Sequence, residues 1–271
     1  MNESATRSID ESLLIDASPE AVWEAFTSAE QIVNWFALRS DSAPGVGGYI
    51  GLSWDLKDQE PGRCQITHWK EHEYLRMTWR DDPGGEHELP VELWLKPQDG
   101  GTALRLVHSG FLSDTSWDDE YDAHQRGWQY ELRSLKYYLE QRAGLPRRHV
   151  LQLFEMDASF ADAYAAIVGG SRGFRSQPET AAIGDPIALT LPDGRTTSGE
   201  IIYLHAGKDF VVTADVLDGG MFRISLDRYN GKIRLWVWAF SWTLPEDEIR
   251  PLIEPAFRAI KSNESLAARR I

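Results

Sequence analysis

Between Tyr49 and Ser109 apolar residues alternate with polar ones, and that period of two is the strongest constraint on what this chain can fold into. The apolar positions are Ile50, Leu52 and Trp54; then Cys64, Ile66 and His68; then Leu75, Met77 and Trp79; then Val91, Leu93 and Leu95; then Leu104, Leu106 and His108. Turn residues separate the runs at Gln59–Gly62, Lys70–Glu73, Asp82–Gly85 and Asp99–Gly101. The pattern predicts five strands joined by hairpins, an antiparallel sheet with one buried face.

The period then lengthens. Trp117, Tyr121, Trp128, Leu132, Leu135 and Leu139 fall on one helical stripe, with acids at Asp118, Asp119, Glu120 and Asp122 and bases at Lys136 and Arg142. Acids at the start and bases at the end suit the helix dipole, and Gly144 and Pro146 terminate the helix. Upstream, residues 10–16 predict a strand. Ser18-Pro19-Glu20 then caps a helix carrying Val22 and Phe26, and Ile32, Trp35 and Phe36 mark a second short one.

After Pro146 the order starts again. Asp16-Ala17-Ser18 is echoed by Asp157-Ala158-Ser159, an offset of 141, and Ser159 with Asp162 has capping-box spacing. Strands are predicted at Pro186–Leu191, Gly199–Leu204, Phe210–Ala214, Met221–Leu226 and Lys232–Phe240, with Gly169–Gly184 irregular. A last helix carries Ile249, Leu252, Ile253, Phe257 and Ile260, and Pro251 and Pro255 are expected to shorten, split or kink it. The reading is an α+β chain of two tandem domains, 1–145 and 146–271.

Charge separates the halves. The 271 residues carry 42 acids against 28 bases, but residues 1–145 hold 26 against 13 and residues 146–271 hold 16 against 15. Such a chain lacks the basic stripe that nucleic acid requires, and an anionic membrane surface would repel it. No apolar run reaches the roughly 20 residues of a membrane span. Cys64 is the single cysteine and the N-terminus lacks signal-peptide regions, so a cytoplasmic location is expected.

Residues 8–142 resemble a known family. The match rests on Ile15–Phe26, Trp35-Phe36, Gly47-Gly48 leading to Trp54, Tyr74–Trp79, Thr102–Phe111 and Gly127-Trp128 to Leu139. Together they resemble bacterial homologues of the activator of the ninety-kilodalton heat-shock chaperone ATPase, within the START-like helix-grip superfamily. The resemblance implies a curved antiparallel sheet wrapped around the long C-terminal helix, with a cavity between them for a hydrophobic or lipid-like ligand. The second half shares the element order without the tryptophan and His-Ser-Gly-Phe signposts and is read as a diverged copy.

With the helix facing the concave sheet, the inward set is Leu52, Trp54, Ile66, His68, Met77, Trp79, Leu93, Leu106 and His108, opposite Trp128, Leu132 and Leu135. Aromatics beside a few polar atoms suit a small-molecule pocket. Gly127 either leaves room for a ligand or lets helix and sheet approach closely. His108 is the candidate acid–base residue, with a satisfied core imidazole as the alternative. His68 and His72 do not converge on a metal, and no cofactor is implied. Trp236, Trp238 and Trp242 share a parity, so if the strand runs that far they line a second pocket or mark an interface. Ile233, Leu235, Val237 and Ala239 compete for the core side, which would bury the strand on both faces, against the sister domain or another subunit. The leading expectation is non-catalytic binding of a hydrophobic small molecule in the first domain. The alternatives are a chaperone accessory role and a cyclase or hydrolase using His108.

Overall fold

Alternating apolar residues bury one face of each strand, and the first sheet follows from that. The computed structural model describes residues 5–54, 62–79, 88–169, 174–177, 181–229 and 231–271. The turns predicted at Gln59–Gly62 and Asp82–Gly85 lie outside them, except for Gly62. Two compact units, Met1–Leu145 and Pro146–Ile271, make up the chain.

In the first unit, strand β1 (Thr6–Ile15) leads into helices α1 (Pro19–Thr27) and α2 (Ala29–Ile32). Strands β2 (Arg39–Ala43), β3 (Tyr49–Ser53), β4 (Gly62–Lys70), β5 (Tyr74–Trp79), β6 (Leu89–Gln98) and β7 (Gly101–Leu112) follow, then helix α3 (Asp118–Tyr137). The sheet runs β1-β7-β6-β5-β4-β3-β2, so the first and last strands pair and the rest form a meander. Strand β2 is an addition to the predicted set. Its sequence, Arg-Ser-Asp-Ser-Ala, has no apolar period, and every residue in it is half-buried.

Local chemistry sets the helix ends. The Ser18 hydroxyl accepts from the Ala21 N–H at 3.3 Å and Pro19 takes the first turn of α1. Trp117 sits in a 3-10 turn, Thr115–Trp117, ahead of α3, and a π turn over Tyr138–Arg142 follows the helix. Side chains of α3 reach the open edge of β1: Tyr121 Oη donates to the Ser8 carbonyl at 3.2 Å and Lys136 Nζ to that of Leu14 at 2.8 Å. Glu140 accepts from the Asp16 N–H at 2.8 Å. Unpaired strand groups that would otherwise template another chain are thereby occupied.

The second unit has strand β8 (Arg148–Met156), helix α4 (Phe160–Ile167), strands β9 (Arg175–Gln177), β10 (Pro186–Thr190), β11 (Thr196–His205), β12 (Asp209–Ala214), β13 (Gly220–Tyr229) and β14 (Lys232–Ser241), helix α5 (Glu246–Lys261) and a short strand β15 (Arg269–Arg270). Its sheet runs β15-β8-β14-β13-β12-β11-β10-β9. Apart from β15, this repeats the order of the first sheet: first strand beside last, then a meander. The Ser159 hydroxyl caps α4 by accepting from the Asp162 N–H at 3.1 Å.

Helix α5 is neither shortened nor split by its prolines, because it runs unbroken over 16 residues with both inside. Ile249, Leu252, Ile253, Ala256, Phe257 and Ile260 are buried on one stripe, whereas Pro251 is exposed. On that side, backbone carbonyls left without an N–H partner can turn to solvent, and the buried stripe holds the helix. The core beneath it includes Phe154, Phe222, Ile224, Leu235 and Val237.

Two of the second unit's tryptophans share one face of β14, and the strand is buried on both faces toward its end. Trp236 is half-buried and donates to Asp227 at 3.0 Å, Trp238 is buried on the same face, and Trp242 lies beyond the end of β14. Ile233, Leu235, Val237 and Ala239 take the core face toward α5.

Candidate functional site

Register builds a row of candidate residues across the first sheet. Ile66 on β4 lies opposite Met77 on β5, Met77 opposite Val91 on β6, and Val91 opposite His108 on β7. Leu93 lies opposite Leu106 in the neighbouring row. Ile66, Met77, Leu93, Leu106 and His108 are all buried, as are Trp128 and Leu132 of α3. Trp79 ends β5 at 9% exposure, and Trp54, just past β3, is half-buried.

His68 is the exception. The register slips between Ile66 and His68, leaving Thr67 as an extra residue opposite β5. A bulge of this kind reverses the inside–outside alternation beyond it. His68 is therefore exposed, beside Tyr74 at 6.1 Å, and Trp69 turns inward to meet Trp23 of α1 at 4.7 Å.

The rings touch in series. Phe36, after α2, stacks on Trp128 at 5.3 Å and on Trp35 at 4.9 Å, and meets Trp54 edge-on at 5.0 Å. Trp54 stacks on Trp79 at 5.8 Å. Each such pair adds about 0.5–1.5 kcal/mol beyond the area it buries. Phe36, Phe111 and His124 complete the cluster and were missed among the sequence candidates. His124 had one available signal, since it lies one helical turn before Trp128 on the stripe that already held Tyr121.

His108 sits at the end of this series. Trp128 Nε1–H donates to His108 Nδ1 at 3.0 Å. Indole nitrogen only donates, so Nδ1 must carry the lone pair and the proton of the neutral ring must lie on Nε2. Burial, and secondly the neighbouring His124, holds the His108 pKa well below the usual histidine value, which keeps the ring neutral. Nε2 is buried and has no hydrogen-bond partner among the described residues. Phe111 lies 4.8 Å from the ring centre, His124 5.1 Å and Trp79 5.8 Å. His124 Nδ1 in turn lies 3.0 Å from the Glu120 carbonyl and 3.2 Å from its carboxylate, nearer the surface. In this tautomer Nε2 has no lone pair with which to take a proton. It is a hydrogen-bond donor in an aromatic surround.

Gly127 is half-buried within α3. A Cβ there would meet no described atom within 4 Å, so the glycine is not required for close helix–sheet contact. It lies three residues after His124 and four before Glu131, on the flank of the aromatic face.

Two features outside this cluster also bear on chemistry. In the second unit a groove of about 750 Å³ is lined by Asp157, Ser159, Asp162 and Arg228 among others, and Lys232 pairs with Asp157 at its margin. A Gly-x-Ser-x-Gly spelling occurs at residues 169–173, but it follows helix α4 rather than a strand, unlike a nucleophile elbow. Residues 170–173 lie outside the described set. Among the described residues no group of three or more His, Cys, Asp or Glu could hold a metal ion, and no described helix is long and apolar enough to cross a membrane.

Residues 16–140 match the family model described as activator of Hsp90 ATPase homolog 1-like protein. Among solved structures, protein MLL2253 of Mesorhizobium loti is 26% identical over 50% of this chain and 98% of its own, with a TM-score of 0.43. The Aha1 dimer of Colwellia psychrerythraea is 22% identical over 51% and 99%, with a TM-score of 0.44. CalU16 of Micromonospora echinospora is 23% identical over 51% and 86%, at 0.40. No curated protein matches the chain. With that match spanning α1 to the end of α3, the first unit carries a domain of the activator of Hsp90 ATPase homolog 1-like family.

Proposed function

We propose that the first unit binds a hydrophobic small molecule between its sheet and α3, without catalysing a reaction. The observation that carries this reading is Gly127. A glycine inside a 20-residue helix costs about 1 kcal/mol relative to alanine, and no described atom stands close enough to require the missing side chain. It lies on α3 beside the helix face that carries Trp128, whose ring continues through Phe36 and Trp54 to Trp79, the kind of surface that takes up planar apolar ligands. The cost is offset if the space is occupied by a ligand in the working protein.

Titration with 2-isopropenylnaphthalene, read by tryptophan fluorescence, tests the reading. Gly127→Leu is expected to weaken binding at least ten-fold, with Gly127→Ala close to the parent. Equal affinity in the leucine variant, or no saturable binding in the parent, overturns it.

A further inference from the structure

We infer that the ligand of the first unit carries a neutral hydrogen-bond acceptor, a carbonyl oxygen on a planar aromatic body, and that His108 Nε2–H donates to it. This rests on the binding proposed above and adds the polar half of the recognition.

The direction of donation follows from one contact. Trp128 can only donate, and it donates to Nδ1, so the opposite nitrogen of a neutral ring must present N–H. That N–H is buried without a partner among the described residues. An unmade buried hydrogen bond is costly, and native proteins leave few of them. The neighbouring Trp79 and Phe111 rings supply flat apolar walls, and His124 adds a third, polar ring. A neutral donor beside such walls favours a molecule that brings its own acceptor without a charge, because a carboxylate would lose its hydration against the Trp79 and Phe111 rings. A pure hydrocarbon would fill the walls and leave the N–H unsatisfied.

The matched probes are 2-acetylnaphthalene and 2-isopropenylnaphthalene, which differ in a C=O against a C=CH2 of nearly the same shape. In the parent protein the ketone is expected to bind about ten-fold more tightly, the worth of one buried hydrogen bond. In His108→Phe that preference should vanish while the hydrocarbon still binds. A second measurement does not depend on the variant folding: ¹⁵N spectra of the parent's histidines should show His108 protonated at Nε2, and its resonance should shift with the ketone and not with the hydrocarbon. Equal affinity for the two probes overturns the acceptor inference and leaves hydrophobic binding standing. Saturable binding of neither probe overturns both. A ketone preference that survives in His108→Phe overturns the assignment to His108.

Discussion

The two sheets run in the same strand order, yet Trp79 of β5 faces the long helix of its unit whereas Trp238 of β14 faces away from its own. In the first unit the space under the helix holds indoles, two imidazoles and a buried N–H. In the second it holds Ile, Leu, Val and Phe. An aliphatic interior is satisfied by packing alone, whereas an interior with directional donors is satisfied only when acceptors are placed to match. One topology therefore serves as a closed core in one unit and as a candidate recognition site in the other, and the choice is made by a handful of inward positions.

That contrast can be broken by truncation first. Trp128→Ala should cost about 3–5 kcal/mol, since it removes a buried ring and the donor to His108. Trp236→Ala, half-buried on the outer face of β14, should cost about 1–2 kcal/mol. Urea unfolding of the two variants measures the difference, and equal losses would erase the distinction between the faces.

Acidity gives the next largest effect. Burial, then the nearby Arg147, lowers the His149 pKa from 6.5 to about 4, with Glu246 opposing. The folded state thus binds this proton less readily than the unfolded state. The stability is complete above the unfolded value and is lost as pH falls from about 6.5 to about 4, by roughly 3 kcal/mol at most. Urea midpoints at pH 7 and pH 4.5 should differ by less in His149→Phe than in the parent. An unchanged difference would remove His149 as the cause. His108 contributes in the same direction from the first unit.

The smallest effect sharpens the comparison through glycine. Gly127→Ala should stabilise the first unit by about 1 kcal/mol, read as a rise in Tm. Gly199→Ala in the second should destabilise, because its Cβ would come within 1.8 Å of the Thr213 carbonyl oxygen. A fall in Tm for Gly127→Ala would mean that the space beside it is filled.

Much of the fold was legible because burial imposes a period. The strands from Tyr49 onward, both N-caps and the long stripe of α3 follow from alternation, capping residues and helical spacing. What was not legible arises where a structure departs from its period without a local mark. Strand β2 is polar at nearly every position and shows no alternation to read. The bulge at Thr67 leaves Ile66 and His68 two apart, so the sequence kept counting inward while the backbone had already turned His68 outward. The direction of the His108 proton depends on Trp128, 20 positions later, and no local pattern announces a contact of that range.

The pairing of first strand with last has a consequence for synthesis. Ile9 must find His108, 99 positions on, and Val150 must find Ala239, 89 positions on. Closing loops of this length is slow compared with forming hairpins. During translation each meander can form as its hairpins emerge, while β1 waits for β7 and then for α3. His108 stands in that closing strand and Trp128 in the helix after it, so the ring pair that fixes the buried proton is among the last contacts the first unit can make.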